Sequence, residues 1–276
     1  MRNNKWYEDN KEEIMKLYYS PMSVEDICKE LQCNKSMIFR KFKQWDVVRR
    51  PKIKPPERYN AKYKIDTHYF DVINNEHKAY WLGFMVADGY VDDKQISFAL
   101  KIDDIKMVNQ LKTDLAAEQP IKYNKDGNPY LLIICKSLSN ALIEKGLHHR
   151  KSWSLDIDKI LQNVPKDLEH HFIRGLFDGD GCIKYYKYSY IKKPQLHFGY
   201  TGVKNVCNYI KNKLNIERKL IHEGNVTYTV VTRNPKIIND IFDYLYKDAT
   251  IYLDRKYQTF KEIQMITFND YNKAIS

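Results

Sequence analysis

The feature that most constrains this chain is a motif that occurs twice. Near one third of its length stands YWLGFMVADGY, Tyr80 to Tyr90, and later FIRGLFDGDGC, Phe172 to Cys182. Each runs from apolar residues through a glycine to an acid followed by glycine. With Asp88 set opposite Asp180, 92 residues later, Gly83 falls opposite Gly175 and Ala87 opposite Gly179. A period of that size implies an internal duplication.

The segments C-terminal to the two motifs support the duplication. After the first, QISFALKI (Gln95 to Ile102) alternates with period two, placing Ile96, Phe98, Leu100 and Ile102 on one face and Gln95, Ser97, Ala99 and Lys101 on the other. A helical stretch, DDIKMVNQLKTDL, comes next, then two strands turning at Asp126-Gly127, then a second helix, SLSNALIEKGL. After the second motif the order returns: strands through QLHFGY, the helix VKNVCNYIKNKL, strands turning near Gly224-Asn225, and the helix NPKIINDIFDYLY. The fold class predicted is α+β, with two pseudo-symmetric αββαββα repeats over 76–154 and 155–265 and a short tail over 266–276. Each sheet has an apolar face for its helices and a polar face for solvent or a ligand.

Small residues four apart, Gly83 with Ala87 and Gly175 with Gly179, give each motif helix a stripe on which another backbone can approach closely. The two helices are therefore expected to pack on each other and join the halves. Gly89 and Gly181 are expected to end them in the left-handed cap conformation. Asp88 and Asp180 then lie side by side at helix C-termini, where the dipole opposes negative charge and something positive must compensate. Paired carboxylates with helix-end oxygens from Gly89 and Gly181 suit Mg²⁺, with Mn²⁺ as a substitute, and such a site beside a phosphodiester activates water.

The N-terminal 46 residues read as a separate all-α module. Ile14, Leu17 and Tyr18 mark a first helix, Ser23-x-x-Asp26 the start of a second, and Asn34 the cap of a third, KSMIFRKFKQW. In that third helix Ile38 and Phe42 face inward, leaving Lys35, Ser36, Arg40, Lys41 and Lys43 outside, the arrangement of a helix-turn-helix whose last helix enters a major groove. A basic, proline-containing linker over 47–75 comes next, in which Arg49, Arg50 and Lys52 can lie along phosphates.

Forty-six basic against 35 acidic residues give a net charge of +11, favouring an anionic macromolecule over a small-molecule substrate. Five cysteines without a C-x-x-C pair indicate neither a disulfide framework nor a zinc ribbon. No apolar run reaches the length of a membrane span and none follows the charged N-terminus, so a cytoplasmic protein is expected. His148-His149 and His170-His171 are adjacent pairs, without the i, i+4 spacing that puts two ligands on one helix face.

WLGFMVADG and IRGLFDGDG resemble the paired motifs of the LAGLIDADG homing endonucleases in their single-chain, two-motif form, and the similarity spans roughly 76–261. The resemblance implies motif helices at a pseudo-twofold interface, sheets that saddle the DNA major groove, and metal binding by the last acid of each motif, Asp88 and Asp180. The earlier acid position of the motif holds Val86 in one copy and Asp178 in the other. The resemblance also implies a lysine near the end of each half, close to the scissile phosphates, for which Lys151 and Lys256 are the candidates. For the sheets it implies base or phosphate contacts, with Gln95, Ser97, Lys101, Lys184, Gln195 and His197 as candidates. The expected activity is that of a monomeric, Mg²⁺-dependent endonuclease cutting both strands of a long double-stranded DNA site, encoded in a mobile intron or free-standing. A non-cleaving transcription regulator and a maturase that binds intron RNA are the rival readings on the same scaffold.

Overall fold

The computed structural model describes residues 2–19, 24–47, 63–148, 155–187 and 194–275. The chain divides into two compact units, Met1–Ala61 and Lys62–Ser276.

The first unit holds α1 (Asn4–Asp9), α2 (Lys11–Tyr19), α3 (Val24–Glu30) and α4 (Lys35–Gln44). Asn34 caps α4 as expected, accepting from the Ser36 N–H at 2.9 Å. Its core is Tyr7, Ile14, Tyr18, Ile27, Ile38 and Phe42. Tyr7 closes the turn before α4 by accepting from the Asn34 N–H at 2.9 Å. Lys41, expected on the outer face, is instead 1% exposed, its ammonium paired with Glu8, which also accepts from the Trp45 indole at 2.9 Å. Counting basic residues on α4 did not reveal that one of them follows Ile38 and Phe42 onto the inner side. Lys35, Ser36 and Arg40 are exposed, Lys35 in an ion pair with Glu25. Ser23 and the basic residues Arg49, Arg50 and Lys52 lie outside the described residues.

The second unit repeats one pattern. Its first half runs α5 (Glu76–Ala87), β1 (Tyr90–Val91), β2 (Gln95–Ala99), α6 (Ile105–Asp114), β3 (Lys122–Tyr123), β4 (Pro129–Ile134) and α7 (Lys136–Glu144). After a short α8 (Ile157–Leu161), the second half runs α9 (Glu169–Asp180), β5 (Gly181–Tyr186), β6 (Gln195–Val203), α10 (Lys204–Lys213), β7 (Ile221–Gly224), β8 (Thr227–Thr232) and α11 (Pro235–Tyr246). Both sheets are antiparallel and four-stranded, with matching orders β1-β2-β4-β3 and β5-β6-β8-β7. Helix, two strands, helix, two strands, helix is thus the order of each half.

Each sheet buries one face. Ile96, Phe98, Leu131 and Ile133 pack with Val108, Leu111, Leu138 and Leu142 behind the first, while Leu196, Phe198, Tyr200 and Val230 pack with Val206, Ile210, Ile238 and Leu245 behind the second. The motif helices join these cores: Trp81 and Phe84 meet Phe98 edge-on at 5.6 and 5.0 Å, and Phe177 stacks on Phe198 at 4.9 Å.

Three boundaries differ from the sequence reading. β2 stops at Ala99, and Ile102, expected inside, is 48% exposed at the start of a 3₁₀ turn. Lys101 therefore sits beyond the strand. The second unit begins at Lys62, within the stretch expected as linker, and there Tyr69, Phe70 and Ile73 are buried and Asp66 donates its N–H to Leu115 at 2.8 Å. No period is readable in so short an irregular segment. The expected tail is the end of α12 (Asp254–Ile275), whose Phe260 and Ile263 are buried. Among the described residues no helix is long and apolar enough to cross a membrane.

Candidate functional site

The site begins where α5 and α9 touch through their backbones. A methyl placed on Gly83 falls 2.0 Å from the Phe172 carbonyl oxygen, and one on Gly175 falls 2.0 Å from that of Tyr80. These contacts are reciprocal, as a twofold requires. One turn on, a methyl on Gly179 falls 2.2 Å from the Ala87 Cβ and 3.4 Å from Asp88 Oδ2. The Asp88 carboxylate therefore lies against the last turn of α9, which ends at Asp180. Both acids are exposed.

The glycines directly after these acids act differently from expectation. Neither is left-handed: among the described glycines only Gly127, Gly146 and Gly224 have positive φ, and Gly181 is extended at φ −83° and ψ 162°. Each is small because the preceding helical turn lies on it. A methyl on Gly181 meets the Phe177 ring at 2.1 Å, and one on Gly89 meets Met85 Cε at 2.6 Å.

The compensating charge is Lys256, near the start of α12. It is 4% exposed, and its ammonium donates to the carbonyls of Phe177 (2.7 Å), Asp178 (2.8 Å) and Gly179 (3.3 Å), capping the C-terminal end of α9. Burial pulls its pKa down to about 8, with Arg255 acting in the same direction, while Asp178, Asp88 and Asp180 oppose the fall. The two motif acids are thus close enough to act on one buried cation.

Asp178, at the motif's earlier acid position, does not join them. It is 1% exposed and accepts from the Tyr80 hydroxyl (2.9 Å), the Tyr246 hydroxyl (3.0 Å) and the Leu253 N–H (2.8 Å). Burial raises its pKa, against the opposing pull of Lys256, the Leu253 N–H, the Tyr80 hydroxyl and Arg174. It ties α5, α11 and the lead into α12 to α9. Nearby, the fully buried Arg174 donates to Glu76 (2.6 Å) and to the carbonyls of Ile251 (2.9 Å) and Leu245 (2.7 Å). None of these partners shows in sequence spacing, although a charged residue inside an apolar motif is the signal that a buried pair exists.

His170, His171 and Asp248 place ligand-type atoms within 4.8 Å of one another, a grouping that adjacency of the two histidines had hidden. Its hydrogen bonds argue against a metal. Arg174 donates to His171 Nδ1 at 2.8 Å, so that nitrogen is the acceptor and Nε2 of the neutral ring carries the proton. Burial, with help from Arg174 and His170, holds the His171 pKa down to about 4, so the ring is neutral at pH 7.

The remaining candidates divide by location. Gln95 and Ser97 lie on the first sheet's open face, and Lys184, Gln195 and His197 on the second's, where Lys184 pairs with His197 and Tyr186 with Gln195. Lys151 lies outside the described residues. Arg233, Thr201 and Thr229 border the second sheet's open face; the alternation Thr229, Val231, Arg233 on one strand and Gln195, His197, Gly199, Thr201 on its neighbour is the sequence signal for it.

No protein-family model and no curated protein matches this sequence. The fold has clear relatives among solved structures. The I-LtrWI LAGLIDADG homing endonuclease bound to target DNA aligns with a TM-score of 0.53 at 13% identity, covering 75% of this chain and 92% of that one. I-SmaMI bound to an uncleaved DNA target with calcium aligns at 0.54 and 14%, covering 73% and 93%. The LAGLIDADG homing endonuclease I-GzeII in complex with its DNA target aligns at 0.52 and 14%, covering 73% and 92%. At such identity the likeness shows the fold, which is that of the single-chain LAGLIDADG endonucleases.

Proposed function

We propose that this protein is a site-specific, divalent-metal-dependent endonuclease that cuts both strands of double-stranded DNA. The observation that carries the reading is the meeting of two exposed acids, Asp88 and Asp180, at one end of a backbone-tight pseudo-twofold, with a buried cation behind them. A helix interface needs no acid there, and the dipole opposes both.

The donor set is all oxygen, which fits Mg²⁺, with Mn²⁺ as a substitute. Lys256 occupies the carbonyls of Phe177, Asp178 and Gly179. The ion would be held by the carboxylates of Asp88 and Asp180, with the oxygens of Gly89 and Gly181. When bound, it supplies charge neutralisation at the phosphodiester and a more acidic water. Lys256 lowers the repulsion between the acids and the end of α9 without itself reaching solvent. The open sheet faces bind the duplex, and one chain carries both halves of the site, so a monomer suffices.

The N-terminal unit serves as a helix-turn-helix that adds affinity or lengthens the site, with Lys35, Ser36 and Arg40 of α4 toward the groove and phosphates. The linker residues Arg49, Arg50 and Lys52 add phosphate contacts, and Lys151 serves the first half at the position implied for Lys256 in the second.

Incubation with a randomised duplex library in Mg²⁺ and in EDTA, with sequencing of new ends, tests this reading. Metal-dependent ends at one long motif are expected. Asp88→Asn and Asp180→Asn should each lower cleavage by roughly a hundredfold or more while binding persists. A fully active Asp180→Asn protein would overturn the metal assignment.

A further inference from the structure

The open faces of the two sheets are built alike and are chemically opposed. Residues paired across an antiparallel ladder share a face. On the first sheet Gln95 stands with Ile134, Ser97 with Leu132, and Ala99 with Tyr130. Ile134 is 67% exposed beside Gln95, and Ala99 is exposed at the other end of the ladder. Among the strand residues of this face Lys122, opposite Tyr130 at the edge, is the charged one. On the second sheet Lys184 stands with His197, and Lys184 Nζ lies 5.4 Å from the centre of the exposed Tyr186 ring. Arg218 and Arg233 flank the same face, bordering with His197, Thr201 and Thr229 a groove of about 540 Å³ whose rim also carries Ile221, Val231 and one acid, Glu223.

Taking the duplex-DNA reading above as its basis, we propose that the two sheets read half-sites of different composition: a thymine-rich half under Leu132 and Ile134, and a guanine-rich half under Lys184 and Arg233. The major-groove edges supply the reason. Thymine alone presents a methyl group there, which the exposed Ile134 and the half-buried Leu132 can cover without loss, whereas covering guanine O6 and N7 or the cytosine amino group with the same side chains strips those groups of water and leaves them unpaired. Guanine in turn presents two adjacent acceptors that match an arginine or lysine donor. His197 fits the second role. Burial, with Lys184 and Arg233 near it, holds its pKa below the ordinary value, so the neutral ring offers one donor and one acceptor. The ring lies over Gly199, where an added methyl falls 3.1 Å from Nε2.

A protein partner for the apolar face is the competing occupant. The two faces occupy equivalent places in the two repeats, and the second is cationic, so one continuous anionic ligand with two different edges accounts for both.

The test begins with selection of bound duplexes from the randomised library in EDTA, so that affinity alone is read. In the enriched duplex, thymine is then replaced by deoxyuracil, which lacks only the methyl, in one half at a time. Separately, guanine is replaced by 7-deazaguanine, which lacks N7. Deoxyuracil in the first half should weaken binding roughly fivefold or more, and by less than about twofold in the second, with the reverse pattern for 7-deazaguanine. Arg233→Gln should abolish sensitivity to 7-deazaguanine on one side only, which assigns that side to the second sheet. An enriched duplex without thymine bias, or one indifferent to deoxyuracil in both halves, overturns the inference and leaves the DNA reading standing. Failure to enrich any duplex sinks the DNA reading itself.

Discussion

Val86 and Asp178 occupy the same place in two helices that otherwise match, and they do opposite work. Val86 is 5% exposed and fills the core of its half. Asp178 gathers two phenols and a backbone N–H, and so fastens α11 and the approach to α12 onto α9. The pattern repeats nearby: Arg174, which crosses to Glu76 of α5, stands opposite Leu82, and His171 opposite Ala79. The backbones of the halves are symmetric because helix-to-helix contact through Gly83 and Gly175 demands it. Their side chains differ where α12 closes on the end of α9 and brings Lys256 against it. Symmetry here belongs to the packing, and asymmetry to the electrostatics.

Three experiments break or sharpen this comparison. The largest effect should come from Asp178→Val, which makes the second helix like the first. It leaves Tyr80, Tyr246 and the Leu253 N–H without their acceptor in a closed space, and should cost about 3 kcal/mol or more in denaturant unfolding. A loss below about 1 kcal/mol would show that the network can be replaced by packing. Next is Gly179→Ala, whose new methyl meets Ala87 Cβ at 2.2 Å. Helix separation should cost about 2 kcal/mol, and adding Ala87→Gly should recover most of it, less the lower helix propensity of glycine. No recovery in the double variant would mean that the stripe is not a two-sided fit.

The third effect, of similar size and seen only on acidification, concerns pH. The His171 pKa is about 4 in the folded protein against an ordinary value near 6.5, so the unfolded chain binds more protons between those values. Stability conferred by the neutral ring is therefore present above about pH 6.5 and is lost as the solution is acidified toward pH 4. His171→Gln retains an acceptor for Arg174 and removes the titration. The difference in unfolding free energy between parent and variant should shift by about 2 kcal/mol from pH 7.5 to pH 5, in the variant's favour. A pH-independent difference would place His171 outside the linkage.

Much of the second unit was readable because its cues are local. Gly83 and Gly175 at matched positions predicted the helix contact, the alternation through Ile96 and Phe98 predicted a strand, and Gly127 and Gly224 marked turns that the structure places at positive φ. Lys41 was misplaced because its burial follows from Glu8, 33 residues away. The conformations of Gly89 and Gly181 were misjudged because a glycine after a helix has two uses, and the side chains of Met85 and Phe177 choose between them.

Periodicity, glycine spacing and the duplication were enough to specify two alike halves, the order of helices and strands in each, and the contact of the two motif helices. These features stem from backbone geometry and from which faces must leave water, and both are written at short range. The cation behind those acids is another matter. Lys256 is 76 residues from Asp180, and neither its burial nor its three carbonyl partners can be deduced from neighbours in sequence. A buried charge is set by desolvation balanced against specific donors and acceptors, and those come together only when distant segments close around it.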